Sequence, residues 1–212
     1  MEIYDLRNEY RMAELSEESL LRDPFLQFEK WMGEAIKAEL REPNAMVLST
    51  ADKHGSPSAR TVLLKMYDRN GFVFFTNYHS RKSREIGENP QVALLFPWLD
   101  LERQVIIMGR AEKVSTAESL RYFASRPRGS QLGAWSSEQS SVVSSRQLLL
   151  IQFEKMKEKF KHGERPLPDF WGGYRVIPRR FEFWQGRENR LHDRFEFILE
   201  KADNWKVERL AP

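Results

Sequence analysis

The sequence predicts a mainly β, α+β chain: a mostly antiparallel β-barrel with peripheral helices, preceded by a short arm. Three observations carry this prediction. Stretches with strand-like alternation follow one another through short links rich in Gly, Pro, Asn and Asp. Helical periodicity falls between groups of strands, unlike the strict strand–helix alternation of a doubly wound sheet. Several long strands would leave costly open edges, which closure into a barrel removes. At 212 residues and 25.1 kDa the chain has the size of one body, residues 21–212, with an arm, residues 1–20.

The arm is rich in Glu, Arg and Ser and has weak periodicity, so it is expected to order only against the body. A helix then begins at Asp23, a good N-cap, with Pro24 at the first helical position. Phe25, Phe28, Trp31, Met32, Ala35 and Ile36 recur at three- and four-residue spacing, and Pro43 marks the end. From Ala45 the period shortens: AMVLST, SARTVLLKMY and FVFFTN alternate as strands, separated by DKHGSP and DRNG. A short helix from Ser80 to Glu88 closes at Asn89-Pro90. The strands VALLF and RQVIIMGRAEKV follow, with Gly109 marking a bulge or bend. Residues 116–125 and 145–161 read as helices, the second through Leu149, Phe153, Met156 and Phe160. GGYRVI, RFEFWQ, RFEFIL and WKVERL read as the closing strands.

Composition narrows the function. Lys+Arg 34 against Asp+Glu 31 gives only +3, with acids interleaved almost everywhere, so no basic stripe for a nucleic acid is present. Zero Cys excludes disulfides and thiolate-ligated metals. No run approaches the roughly 18 apolar residues of a membrane span, and MEIYDLRNEYRM lacks the apolar core of a leader, so a cytoplasmic protein is expected. Phosphate-loop and dinucleotide glycine motifs are missing, and His54, His79, His162 and His192 are scattered, so no metal site is expected.

Four segments carry candidate chemistry. In HSRKSRE, Ser80 reads as an N-cap and Arg81 and Lys82 occupy the first helical turn. Cations are disfavoured at that end of the dipole unless an anion sits on them. Two solvated side chains are the competing reading. In ARTVLLKMY, Arg60 and Lys65 stand at odd spacing and face opposite sides of an ideal strand. Tyr122, Arg126, Arg128 and Ser130 cluster in YFASRPRGSQLGAW with no acid between them, as donors on a loop converging on a phosphate or as an ordinary helix terminus. FWQGRENRLHDRFEF brings Trp184, Arg190, His192 and Arg194 to a turn between strands. That turn suits a flat heterocycle and a proton-capable imidazole, or a core Trp beside a charged hairpin. Two anion sites and an aromatic turn suggest a phosphorylated cofactor with a phosphorylated substrate, without choosing the reaction.

The segments RTVLLK, FFTNYHSRKSREI, LLFPWLDLERQVIIMG, YFASRPRGSQLGAWSSEQSS, PLPDFWGGYRV and FWQGRENRLHDRF, with the terminal ERLAP, closely resemble the pyridoxine/pyridoxamine 5′-phosphate oxidase family from about Leu6 to Pro212. FWGG followed by RLHDR is far more specific than a lone glycine motif. The resemblance implies a split β-barrel homodimer with FMN at the subunit interface. It implies oxidation of pyridoxine or pyridoxamine 5′-phosphate to pyridoxal 5′-phosphate by dioxygen, with release of hydrogen peroxide and, from the amine, ammonia. Matched motif by motif, Arg60, Arg81, Lys82 and Ser140 would hold the FMN phosphate, with Gln139 beside them and Phe75 and Thr76 along the cofactor. Gln104, Trp184 and Arg194 would lie against the flavin ring. Lys65, grouped with both ligands, would clamp the substrate phosphate with Tyr122, Arg126 and Ser130. Arg190 and His192 would be the catalytic pair over the substrate ring, and Arg7 and Tyr10 would close the arm over it. Beyond Tyr10 the arm, RMAELSEESLL, is more acidic than the resemblance leads one to expect, which weighs against a regulatory product site built on basic residues there. The rival classes are another flavin reductase or oxidoreductase on this barrel and a non-catalytic FMN or pyridoxal-phosphate carrier. The first has no need of the substrate-phosphate set, and the second has no need of Arg190 and His192.

Overall fold

Asp23 starts the first helix, α1 (Pro24–Lys37), by accepting from the Phe25 and Leu26 N–H groups. In the computed structural model, which describes residues 9–136, 139–163, 165–201 and 203–212, this helix ends at Ala38. That is earlier than Pro43 suggests, because Glu39 turns left-handed with φ 55°. Phe25, Phe28, Trp31, Met32 and Ala35 are buried. Phe28 meets Tyr67, Phe72 and Phe96 edge-on, fixing α1 across the sheet's concave side.

The strands follow as β1 (Ala45–Ala51), β2 (Pro57–Leu63), β3 (Met66–Asp68) and β4 (Gly71–Asn77). After α2 (Arg81–Glu88) come β5 (Gln91–Trp98) and β6 (Arg103–Lys113). Three helices, α3 (Thr116–Ser125), α4 (Arg128–Ser136) and α5 (Arg146–Lys159), precede β7 (Trp171–Gln185), β8 (Asp193–Lys201) and β9 (Asn204–Arg209). All pairings are antiparallel, in the order β2-β1-β5-β6-β7-β4-β3. The sheet forks at β7. Its one edge pairs with β6, while its other edge pairs with β4 along Trp171–Val176 and with β8 along Arg180–Gln185. The curled sheet encloses Phe72, Phe74, Phe96, Val105, Ile107, Phe181, Phe183 and Phe197, all fully buried. This is a split-barrel α+β fold.

Three expectations need correction. SARTVLLKMY is two strands, because Leu64 N–H donates to Asn44 O while Lys65 N–H donates to Val73 O, so the backbone changes neighbour between those residues. YFASRPRGSQLGAW holds α4 rather than a loop: Gly129 and Gly133 meet nothing within 4 Å, and Gln131 and Leu132 bury one face. GGYRVI and RFEFWQ are one 15-residue strand that passes through Pro178 at a bulge. The bulge was expected at Gly109, and the register does shift between Met108 and Gly109. The extra residue is Arg179 on β7.

Candidate active site

A cavity of about 970 Å³ opens between β2, β4, α2 and the α3–α4 corner. Glu85, on α2, organises one end. Its buried carboxylate accepts from Ser58 Oγ at 2.6 Å, Arg81 Nε at 2.7 Å and Arg60 Nη2 at 3.3 Å, and from Thr50 Oγ1. Burial pushes this carboxyl up, but the Ser58, Thr50 and Arg81 hydrogen bonds and the Arg60 charge together outweigh it and hold Glu85 at about 2. Lys82 is also buried. Its Nζ donates to Thr76 Oγ1 and Gln139 Oε1 at 3.2 Å and to Ser80 Oγ at 3.3 Å. Burial first, and then the Arg60 charge, lower its pKa to about 8 against the opposing pull of Glu85. Arg60 Nη1 reaches Thr50 Oγ1 at 2.5 Å and Leu48 O at 3.2 Å. Ser80 is the N-cap but makes no side-chain cap bond, and the first turn of α2 holds no acid. Ser140, with φ 73°, completes this end.

The other end is aromatic. Phe75 and Tyr122 stack at 4.0 Å, and Trp171 lies parallel to both at 5.5 and 6.1 Å. Lys65 Nζ stands 6.0 Å above the Tyr122 ring, and the Arg126 guanidinium sits 4.7 Å over Trp171. Arg126 Nη1 is buried with no hydrogen-bond partner, a donor shaped for an incoming acceptor. Ser130 lines the same wall. Arg60 and Lys65, expected on opposite sides of one strand, both line this cavity because the chain turns between β2 and β3.

A second cluster forms where β6, β7 and β8 run side by side. Gln104 is opposite Trp184, and Trp184 is opposite Arg194, so the three make one row across the sheet. Glu182 Oε1 fixes Arg194 by accepting from Nε at 2.9 Å, and Ala211 O accepts from Nη1 at 2.8 Å. His192 lies 4.6 Å from Trp184, and Tyr10 meets both rings edge-on at 5.8 and 5.7 Å. The Arg187 N–H donates to His192 Nδ1 at 3.1 Å, which assigns the ring proton to Nε2. Burial, then Arg190 and Arg194, depress the His192 pKa against Asp193, so the imidazole is neutral near pH 7. Arg190 is exposed in the turn with φ 62°. The cavity lining contains none of Gln104, Trp184, Arg190, His192 or Arg194.

Residues 32–160 match the family model for pyridoxamine 5′-phosphate oxidase, and residues 171–212 match the pyridoxine 5′-phosphate oxidase C-terminal dimerisation region. The chain belongs to the pyridoxamine 5′-phosphate oxidase family. A pyridoxine/pyridoxamine 5′-phosphate oxidase of Crocosphaera subtropica is 64% identical over 214 residues, covering 100% of both chains. One from Escherichia coli O9:H4 is 53% identical over 211 residues, covering 100% of this chain and 96% of that one. Among solved structures, PhzG from Burkholderia lata 383, in complex with tetrahydrophenazine-1-carboxylic acid, superposes with TM-score 0.88. It shares 26% identity and covers 97% of this chain and 100% of that one.

For a chain of the pyridoxamine 5′-phosphate oxidase family, the candidate residues fall into two groups. The cavity gathers Arg60, Lys65, Phe75, Thr76, Arg81, Lys82, Tyr122, Arg126, Ser130, Gln139 and Ser140. The sheet row gathers Gln104, Trp184 and Arg194 with Tyr10 and His192. Arg7 lies outside the described residues. Arg128 turns away, its Nη2 donating to Lys161 O at 3.2 Å. Two residues were missed: Glu85, whose only signal is the common four-residue spacing from Arg81, and Trp171, which stood in FWGG without a role. Among the described residues no helix is long and apolar enough to cross a membrane.

Proposed function

We propose that this chain is an FMN-dependent oxidase of vitamin B6 metabolism, acting in the cytoplasm as a homodimer. It converts pyridoxine 5′-phosphate or pyridoxamine 5′-phosphate to pyridoxal 5′-phosphate, reduces dioxygen to hydrogen peroxide and, from the amine, takes up water and releases ammonia. The observation that carries the reading is one cavity with two differently built cationic ends, in a chain 64% identical along its length to an oxidase of that name. Arg60, Arg81, Lys82, Gln139 and Ser140 bind the cofactor phosphate, with Phe75 and Thr76 alongside. Lys65, Tyr122, Arg126 and Ser130 bind the substrate phosphate, for which the unpartnered Arg126 Nη1 is suited. Bound FMN supplies two-electron acceptance from the substrate and return of those electrons to dioxygen.

The protein's own work is binding and orientation. Two-fold pairing brings the Gln104–Trp184–Arg194 row of a second copy to the cavity of the first, with Arg190 and His192 over the substrate ring and residues 1–20, including Arg7 and Tyr10, as the closing arm. Because Nδ1 of His192 already accepts a hydrogen bond, its Nε2–H serves as a donor to the substrate rather than as a base.

The test is an anaerobic titration of FMN-reconstituted protein, followed by visible absorption. Pyridoxine 5′-phosphate should bleach the flavin band, and air should restore it. A bound flavin that stays yellow with both the alcohol and the amine would sink the oxidase reading and favour another flavoprotein.

A further inference from the structure

The two ends of the cavity hold their arginines by opposite means. Arg60 and Arg81 lean on the Glu85 carboxylate, which occupies some of their N–H groups. Among the described residues Arg126 has no carboxylate within ion-pair distance. It is the C-cap residue of α3, its backbone N–H donating to Phe123 O at 3.2 Å, and aromatic rings hold its side chain. The guanidinium lies 4.7 Å over Trp171 and 5.8 Å from Phe123. Trp171 is 6% exposed and is itself wedged at 5.2 Å against Phe123 and parallel to Phe75 and Tyr122.

A ring face attracts a cation without accepting any of its five in-plane N–H donors. A carboxylate in the same place would occupy two of them and repel a phosphate. Trp171 therefore fixes the guanidinium plane while its edge, including the unpartnered Nη1, stays available. We propose that Trp171 is a positioning residue for the substrate phosphate, acting through Arg126 by holding its guanidinium on the indole face with the donor edge free. The inference rests on the reading of Arg126 as a ligand of that phosphate.

The experiment measures binding of pyridoxal 5′-phosphate and of unphosphorylated pyridoxal to the FMN-loaded protein, from the perturbation of the flavin spectrum. Trp171→Leu should weaken pyridoxal 5′-phosphate by about tenfold and Trp171→Phe, which keeps a weaker face, by about threefold, with pyridoxal unchanged. In an Arg126→Gln background neither change at Trp171 should weaken the phosphate ligand further. A merely structural role would lower both ligands alike, or lower the phosphate ligand equally in both backgrounds, and either result overturns the proposal. If Trp171→Leu does not fold, the Trp171→Phe cycle decides it. Should Arg126→Gln alone leave the preference for the phosphorylated ligand intact, the assignment of Arg126 fails, a result distinct from failure at Trp171.

Discussion

Lys82 is a cation kept nearly dry, and its pKa of about 8 gives the proposed cofactor end of the cavity a pH dependence with a definite sign. A phosphate brought to Lys82 raises that pKa again, so binding takes up a proton wherever the free side chain is neutral. Between about pH 7, above the second phosphate ionisation at about pH 6, and about pH 8 Lys82 is mostly charged before and after binding, and affinity changes little. Above that range, FMN affinity should fall by up to about tenfold per pH unit, while riboflavin, lacking the phosphate, should show no such slope. Fluorescence titrations from pH 7 to pH 9.5 check this. Lys82→Arg should abolish the slope, and a slope that survives would remove Lys82 from the phosphate site. The position of these residues was legible where a local rule is broken: Arg81 and Lys82 stand at the wrong end of a helix dipole, both line the cavity, and Lys82 faces inward while Arg81 is exposed. Glu85 was not legible, because the hydroxyls that bond it lie on β1 and β2, 35 and 27 residues away in sequence.

Periodicity fixes an element well when the whole element obeys it and poorly when a neighbour decides where it breaks. The apolar stripe of α1 and the alternation of β1 are plain in sequence, and they are buried as the pattern demands except at Ile36, in the last turn of α1, which is exposed. The break at Leu64–Lys65 is not, since Val and Leu continue across it and only the switch of backbone partner reveals it. In the same way Pro127 and Gly129 hid α4, whose start needs no donor at Pro and whose glycines are uncrowded. Glycine tests this scale directly. A Cβ at Gly109 would lie 2.1 Å from Ile177 O and 2.9 Å from Pro178 Cα, both backbone, at the one register shift between β6 and β7. Gly109→Ala should therefore cost about 1–3 kcal/mol in chemical denaturation. Gly33, inside α1 with nothing within 4 Å, should behave oppositely, Gly33→Ala gaining about 0.5–1 kcal/mol. Equal effects at the two positions would mean that close approach at the bulge is not what Gly109 provides.

For the whole molecule, the cavity and the Trp184 row are built on different parts of one sheet, and the proposed reaction requires both. Mixing two inactive variants examines this. Lys82→Ala disables the cavity, and Arg194→Ala disables the row. Dimers formed from an equal mixture should regain about a quarter of wild-type turnover, because half the dimers are mixed and each has one intact site of two. No recovery after verified subunit exchange would place both groups within a single protomer's site. The anchorage of the segment before α1 was not legible: Leu15 and Leu20 are buried, and Glu17 binds Arg209 and Glu14 binds Arg187, far along the chain. The fork at β7 has one more consequence, for the order in which the molecule is made. β7 supplies the missing neighbour of β6, β4 and β8 at once, yet it lies in the last fifth of the chain. Until residues 171–185 leave the ribosome, β6 and β4 each present an unpaired edge to solvent, so the nascent chain passes through an extended interval of adhesiveness that ends only when synthesis is nearly complete.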